Sequence, residues 1–250
     1  MTERLLEVCV EDVRGIAAAV AGGAHRIELC AALDVGGLTP PASLVRAAAL
    51  APLPVHLLAR PRAGGFAYDA AERALVADDI RTAADAGLAG VVIGASGPDG
   101  RLDTAALAQW ITLARELGTA RGRPLSLTLH RAFDLAPDLP AALDTAVELG
   151  FDRILTSGGA PHAADALAML TRLVGHAGTR IVVLAGSGVA TTTLPAILAT
   201  GVREVHASCR TSSGEQDPEL LRFGFVAATA KAADVKSVSA LAALLSAWRT

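Results

Sequence analysis

The chain has 250 residues, of which 52% are hydrophobic and only 3% aromatic, so Ala, Leu and Val must fill a large core. A net charge of −3 with scattered basic residues leaves no footprint for nucleic acid, and no Lys/Arg run marks an acidic membrane surface. Cys9, Cys30 and Cys209 form no CxxC pair and leave one thiol over, unlike a secreted disulfide framework. No apolar run reaches membrane-spanning length and the amino terminus carries early charge, so a cytoplasmic protein with no membrane partner is expected.

Taken in chain order, runs rich in Val, Ile and Leu begin near Leu5, Arg26, Pro54, Gly90, Pro124, Arg153, Arg180 and Glu204. Each is followed by an Ala/Leu-rich stretch of helical period. Eight alternations predict an α/β fold, a single (β/α)8 TIM barrel with parallel strands, with residues 1–250 forming one domain. Asp69, Asp103 and Asp138 read as helix N-caps, while Gly22-Gly23, Gly87, Gly118, Gly150 and Gly201 read as helix stops. An open doubly wound sheet would want a Gly-x-Gly-x-x-Gly turn after the first strand, where Glu11-Asp12-Val13 stands instead. Glu72 and Asp78-Asp79 read as a solvated helix face. Two long segments, Ala31 to Ser43 and Pro61 to Tyr68, follow strand ends and so belong to the active face of a barrel.

Residues in a strand alternate between two faces, and several strands carry chemistry on one of them. In Leu125-Ser-Leu-Thr-Leu-His130 the leucines share one face, Ser126, Thr128 and His130 the other. The same parity puts Glu7 and Cys9, Glu28 and Cys30, His56 and Arg60, and His206 and Ser208 inside the barrel. Burying a polar group without a partner costs about 2 to 7 kcal/mol, so this set needs mutual pairing or a ligand. In the pairing version, Arg60 and Arg131 neutralise Glu7 and Glu28. In the ligand version, Glu7, Glu28, His56 and His130 supply acid–base chemistry, and Arg60, Arg62 and Arg131 clamp a small anionic ligand.

Other chemistry is open or absent. Gly186 and Gly188 after the seventh strand either expose backbone N–H groups to a phosphate or make a tight turn. The only lysines, Lys231 and Lys236, follow the last strand, which disfavours Schiff-base chemistry. His56, His130 and His206 with Glu7 or Glu28 would suit Zn or Mn. Cys9 and Cys30 are either Cu(I) ligands brought together by adjacent strands or two small buried hydrophobes.

Glu28-Leu-Cys30, Gly36-Gly-Leu-Thr-Pro40, Arg60-Pro-Arg62, His130-Arg-Ala-Phe-Asp134, Leu155-Thr-Ser-Gly158, Ala185-Gly-Ser-Gly-Val189 and Glu204-Val-His206 together resemble the CutC family, named for copper homeostasis. The resemblance implies a cytoplasmic barrel that assembles as a homodimer or larger homo-oligomer, with a copper ion held by cysteines at positions like Cys9 and Cys30. Thr156 and His206 within these motifs, and Ser208 by its inward parity, join the expected ligand contacts. Against a dedicated copper carrier, Met1 and Met169 are the only thioethers, so an enzyme acting on a small anionic or sugar-like substrate is the alternative. The segment from Cys209 to Pro218 is expected near the barrel mouth, with Cys209 facing outward.

Overall fold

The computed structural model describes residues 4–248. Eight parallel strands close into a barrel in sequential order: β1 (Leu5–Val10), β2 (Arg26–Leu29), β3 (Val55–Leu58), β4 (Gly90–Ile93), β5 (Ser126–Leu129), β6 (Arg153–Thr156), β7 (Val182–Gly186) and β8 (Glu204–Ala207). The helices between them are α1 (Val13–Gly22), α2 (Ala42–Ala48), α3 (Ala70–Asp85), α4 (Thr104–Ala120), α5 (Leu139–Leu149), α6 (Leu167–Ala177) and α7 (Leu194–Ala199). After β8 come a short strand β9 (Arg210–Ser212), helix α8 (Pro218–Arg222), strand β10 (Lys231–Ala233) and helix α9 (Val235–Ala247), which packs beside α1.

Local signals explain the element ends. Asp69 closes a capping box with Glu72, and Asp103 and Asp138 accept from Ala106 N and Ala141 N. Gly150 ends α5 in the left-handed region at φ 85°. Gly118 is a correction: it lies inside α4, and the chain turns at Gly122. A side chain on Gly118 would sit 3.1 Å from Pro124 Cα, so its role is to let the helix approach the chain entering β5. Asp79 also departs from the solvated reading, because it is half-buried and accepts a 2.7 Å hydrogen bond from Thr39 Oγ1.

The parity of the strands sorts the core into two parts. Outward residues such as Leu6, Val8, Ile27, Leu29, Leu57, Val91, Leu127, Ile154 and Val205 pack under the helices as the main apolar core. Inside the barrel, Cys9, Cys30, Leu58 and Val92 form a small separate apolar cluster, and polar residues share the remaining interior with Leu155 and Leu184. Two interior glycines on and just beyond β4 make room for histidine rings. A Cβ on Gly90 would fall 2.8 Å from the His56 ring, and one on Gly94 would overlap the His130 ring.

Candidate functional site at the barrel mouth

The strand register builds the site from its floor. Glu7 on β1 sits opposite Arg26 of β2 on one side and His206 of β8 on the other. Arg26 Nε donates to Glu7 Oε2, and its Nη2 donates to Glu204 Oε2 at 2.7 Å. Arg153 continues the chain, 3.4 Å from Glu204 and donating to Ser126 Oγ at 2.6 Å. Glu7 Oε1 lies 2.8 Å from His206 Nδ1. Burial alone would raise the Glu7 carboxyl, but Arg26 and His206 outweigh it and hold Glu7 well below the usual carboxylate range. Thus Glu7 and Glu28 are not neutralised by Arg60 and Arg131; Arg26 and His206 pair with Glu7, and Glu28 has neither arginine.

Above this floor, a cavity of about 450 Å³ opens at the carboxyl ends of the strands. Cys9, Glu28, Arg60, His130, Arg131, Gly188, His206 and Ser208 line it, with Val35, Gly36 and Phe66 supplied by the two long loops. Glu28 is 5% exposed and its Oε2 has no partner. Burial pushes its carboxyl up to about 7, against the attraction of His206 and with the repulsion of Glu7. Burial also disfavours charge on His206, yet Cys9, Glu28 and Glu7 raise it well above the usual imidazole value.

His130 behaves oppositely. Its Nδ1 accepts from Ala132 N at 3.1 Å, which leaves the proton on Nε2, and Nε2 is buried without an acceptor. Burial, reinforced by Arg60, pushes its pKa down to about 3. Phe66 packs on the ring with centroids 4.8 Å apart. His56 lies beneath the cavity against Gly90, with burial holding it neutral down to about 3.

The arginines are placed unlike a clamp. Arg60 reaches the cavity wall, but it donates to Val35 O, Gly37 O and Gly64 O at 2.8 to 2.9 Å, tying both long loops together. Arg62 lies outside the cavity, pairs with Glu72 and caps carbonyls of its own loop. Arg131 keeps a place on the rim while donating to Asp134 Oδ2 and Ser157 Oγ. Thr156 is behind the wall and donates to Asp134, and Gly186 leaves room for Leu155 and His206.

After β7, Ser187 is held at φ 75° on the cavity rim, a conformation that costs a non-glycine residue about 1 to 3 kcal/mol. Thr193 Oγ1 donates to Gly188 O and accepts from Ala190 N, which braces the turn ahead of α7.

The cysteines share one cluster but not one role. Cys9 lines the cavity, whereas Cys30 is fully buried behind it and donates to Val10 O at 3.4 Å. Burial, with Cys9 and Glu28 nearby, pushes the Cys30 thiol far up. Cys209 is buried in the outer core, consistent with its parity. Beyond Ser208 no described residue lines the cavity; β9 and β10 form an antiparallel hairpin anchored by Arg210 to Asp34 and Glu11. Arg26, Arg153 and Glu204 were not among the sequence candidates, although they share parity with Glu28, Leu155 and His206.

Residues 4–211 match the model of the CutC family. The chain belongs to the CutC family. A CutC family protein from Sinorhizobium medicae is 49% identical over 248 residues, covering 99% of this chain and 98% of its own. One from Caulobacter vibrioides is 47% identical, covering 96% and 98%. The CutC structure from Streptococcus agalactiae, whose name carries copper homeostasis, superposes with a TM-score of 0.75 at 29% identity, covering 82% of this chain and 98% of its own. Copper homeostasis is therefore the role attached to CutC by name.

Proposed function

We propose that this chain binds a small hydroxyl- or carbonyl-bearing molecule in the mouth cavity and moves a proton on it, with Glu28 as the acid or base. The observation that carries this reading is the pair of buried atoms without partners, His130 Nε2 and Glu28 Oε2, which belong to two residues of one cavity wall. An unsatisfied buried polar group costs about 1 to 3 kcal/mol, and a ligand offering an acceptor to His130 and a partner to Glu28 would remove both costs. A carboxyl that titrates near 7 is suited to exchanging a proton at neutral pH. Glu7 acts as a positioning residue that orients His206, and His56 supports the floor. Arg131, Ser208 and the Gly188 backbone are further contacts for an anionic or sugar-like group.

The test is a thermal-shift and calorimetric screen of small hydroxy acids, free sugars and sugar phosphates. A stabilising ligand whose effect is lost in both Glu28→Gln and His130→Ala is expected. The absence of any stabilising member, or equal stabilisation of both variants, would refute the reading.

The second reading is copper homeostasis through Cu(I) at Cys9 and Cys30, favoured by the apolar cluster both occupy and by the name of the Streptococcus agalactiae relative. An anaerobic competition titration against a chromophoric Cu(I) chelator decides it: tight binding lost in Cys9→Ser/Cys30→Ser supports the role, and unaltered binding removes it. In either reading the protein works in the cytoplasm, consistent with its free thiols. Among the described residues no helix is long and apolar enough to cross a membrane. A homodimer or larger homo-oligomer would cover Leu220, Leu221, Phe223 and Phe225, which are exposed between β9 and β10.

A further inference from the structure

Of the His/carboxylate side chains inside the barrel, the fold gathers Glu7, Glu28 and His206. One ligand atom each from Glu7, Glu28 and His206 lies within 4.8 Å of the other two. We propose that these three side chains hold a divalent first-row ion of the Mn2+ to Zn2+ kind, its open side facing the mouth cavity. Two carboxylate oxygens and an imidazole nitrogen suit such ions, whereas Cu(I) prefers thiolate. Metal–ligand bonds of about 2.0 to 2.2 Å put neighbouring donors about 3 to 4 Å apart, so the group needs to close by about 1 to 2 Å.

Three further features fit this assignment. Glu28 Oε2 is buried and unpartnered beside the group, which gives the ion a free ligand atom. Arg26 occupies the other Glu7 oxygen, Oε2, while Oε1 and His206 Nδ1 lie 2.8 Å apart and share a hydrogen that the ion would displace. Because Arg26 is also paired with Glu204, it steadies Glu7 without consuming it, as outer-sphere partners of metal ligands do. Glu28 and His206 line the cavity while Glu7 lies beneath, so the protein ligands come from one side and the other side stays open, the arrangement of a catalytic ion. The inference rests on the small-molecule reading of this cavity and changes one role in it: with the ion bound, Glu28 Oε2 is an ion ligand, and the small molecule would meet the ion rather than that oxygen.

The deciding experiment titrates protein freed of metal by chelator dialysis with Co2+, followed by its visible spectrum, and with Mn2+, followed by calorimetry. Binding at one ion per chain is expected, weakened about 10-fold or more in Glu28→Gln. Glu28→Gln keeps the side chain's shape, and circular dichroism checks that it folds; His206→Gln should weaken binding likewise. Cys9→Ser should bind as the parent does. No binding tighter than millimolar, binding untouched by Glu28→Gln, or binding lost in Cys9→Ser would each overturn the assignment. If metal-free protein shows the small-molecule thermal shift and binds no ion, the ion falls and the cavity reading stands. Ion binding without any small-molecule shift leaves the reverse.

Discussion

At the barrel floor, Glu7, Arg26, Glu204 and Arg153 form a run of ion pairs, whereas at the mouth Glu28 and His130 each keep a buried polar atom with no partner. Both regions use inward-facing positions of the barrel strands. The difference lies in what the neighbouring strand presents. Glu7 faces Arg26 and His206 across the register, while Glu28 faces Cys9 and a neutral His56. At the floor Glu7, Arg26 and Glu204 are spent on one another; at the mouth Glu28 and His130 each keep an atom for a ligand.

The sharpest way to break this contrast is to unpair the floor. Arg26→Met should strand Glu7 as a buried charge and cost about 3 to 5 kcal/mol in chemical denaturation, because removing one partner of a buried pair leaves the other uncompensated. A loss under about 1 kcal/mol would show that the floor is no more structural than the mouth.

A smaller effect, with the opposite sign near neutrality, is expected at Glu28. Its folded value of about 7 lies above the ordinary 4.5, so the folded protein holds this proton longer than the unfolded chain. Stability of metal-free protein should therefore fall as pH rises from about 4.5 to 7, by roughly 3 kcal/mol from this group. Glu28→Gln should remove that fall, and melting curves across the window check it. An unchanged slope would mean that water or another group already serves this carboxyl.

The least effect is expected on the rim. Arg62→Ala breaks a half-exposed pair with Glu72 and should cost no more than about 1 kcal/mol, with no change in ligand binding. A lost ligand response would return Arg62 to the site.

Much of this organisation is legible in the chain. The alternation of strand and helix, the Asp caps and the inward parity of Glu7, Glu28, His56, Thr128 and His206 all follow from periods of 2 and 3.6 residues. The pairing is not legible, because it depends on barrel closure: Glu7 and His206 are 199 residues apart and become neighbours only when β1 meets β8. Arg60 has the parity of a site residue, but its partners are loop carbonyls whose path no periodicity describes. Arg26 could have been found by extending the parity of Glu28 back two residues.

The central claim, that Glu28 and His130 at the mouth each keep a polar atom for a ligand while Glu7, Arg26 and Glu204 at the floor pair with one another, is tested most directly by long-range 1H–15N NMR of the histidine rings of metal-free protein between pH 5 and 8. Without an ion, the account predicts His130 neutral throughout, with its proton on Nε2, and His206 charged at neutral pH, a charge that a bound ion would remove. A His130 ring that titrates near the ordinary 6.5 would contradict it, because water would then already reach and satisfy the nitrogen reserved for a ligand.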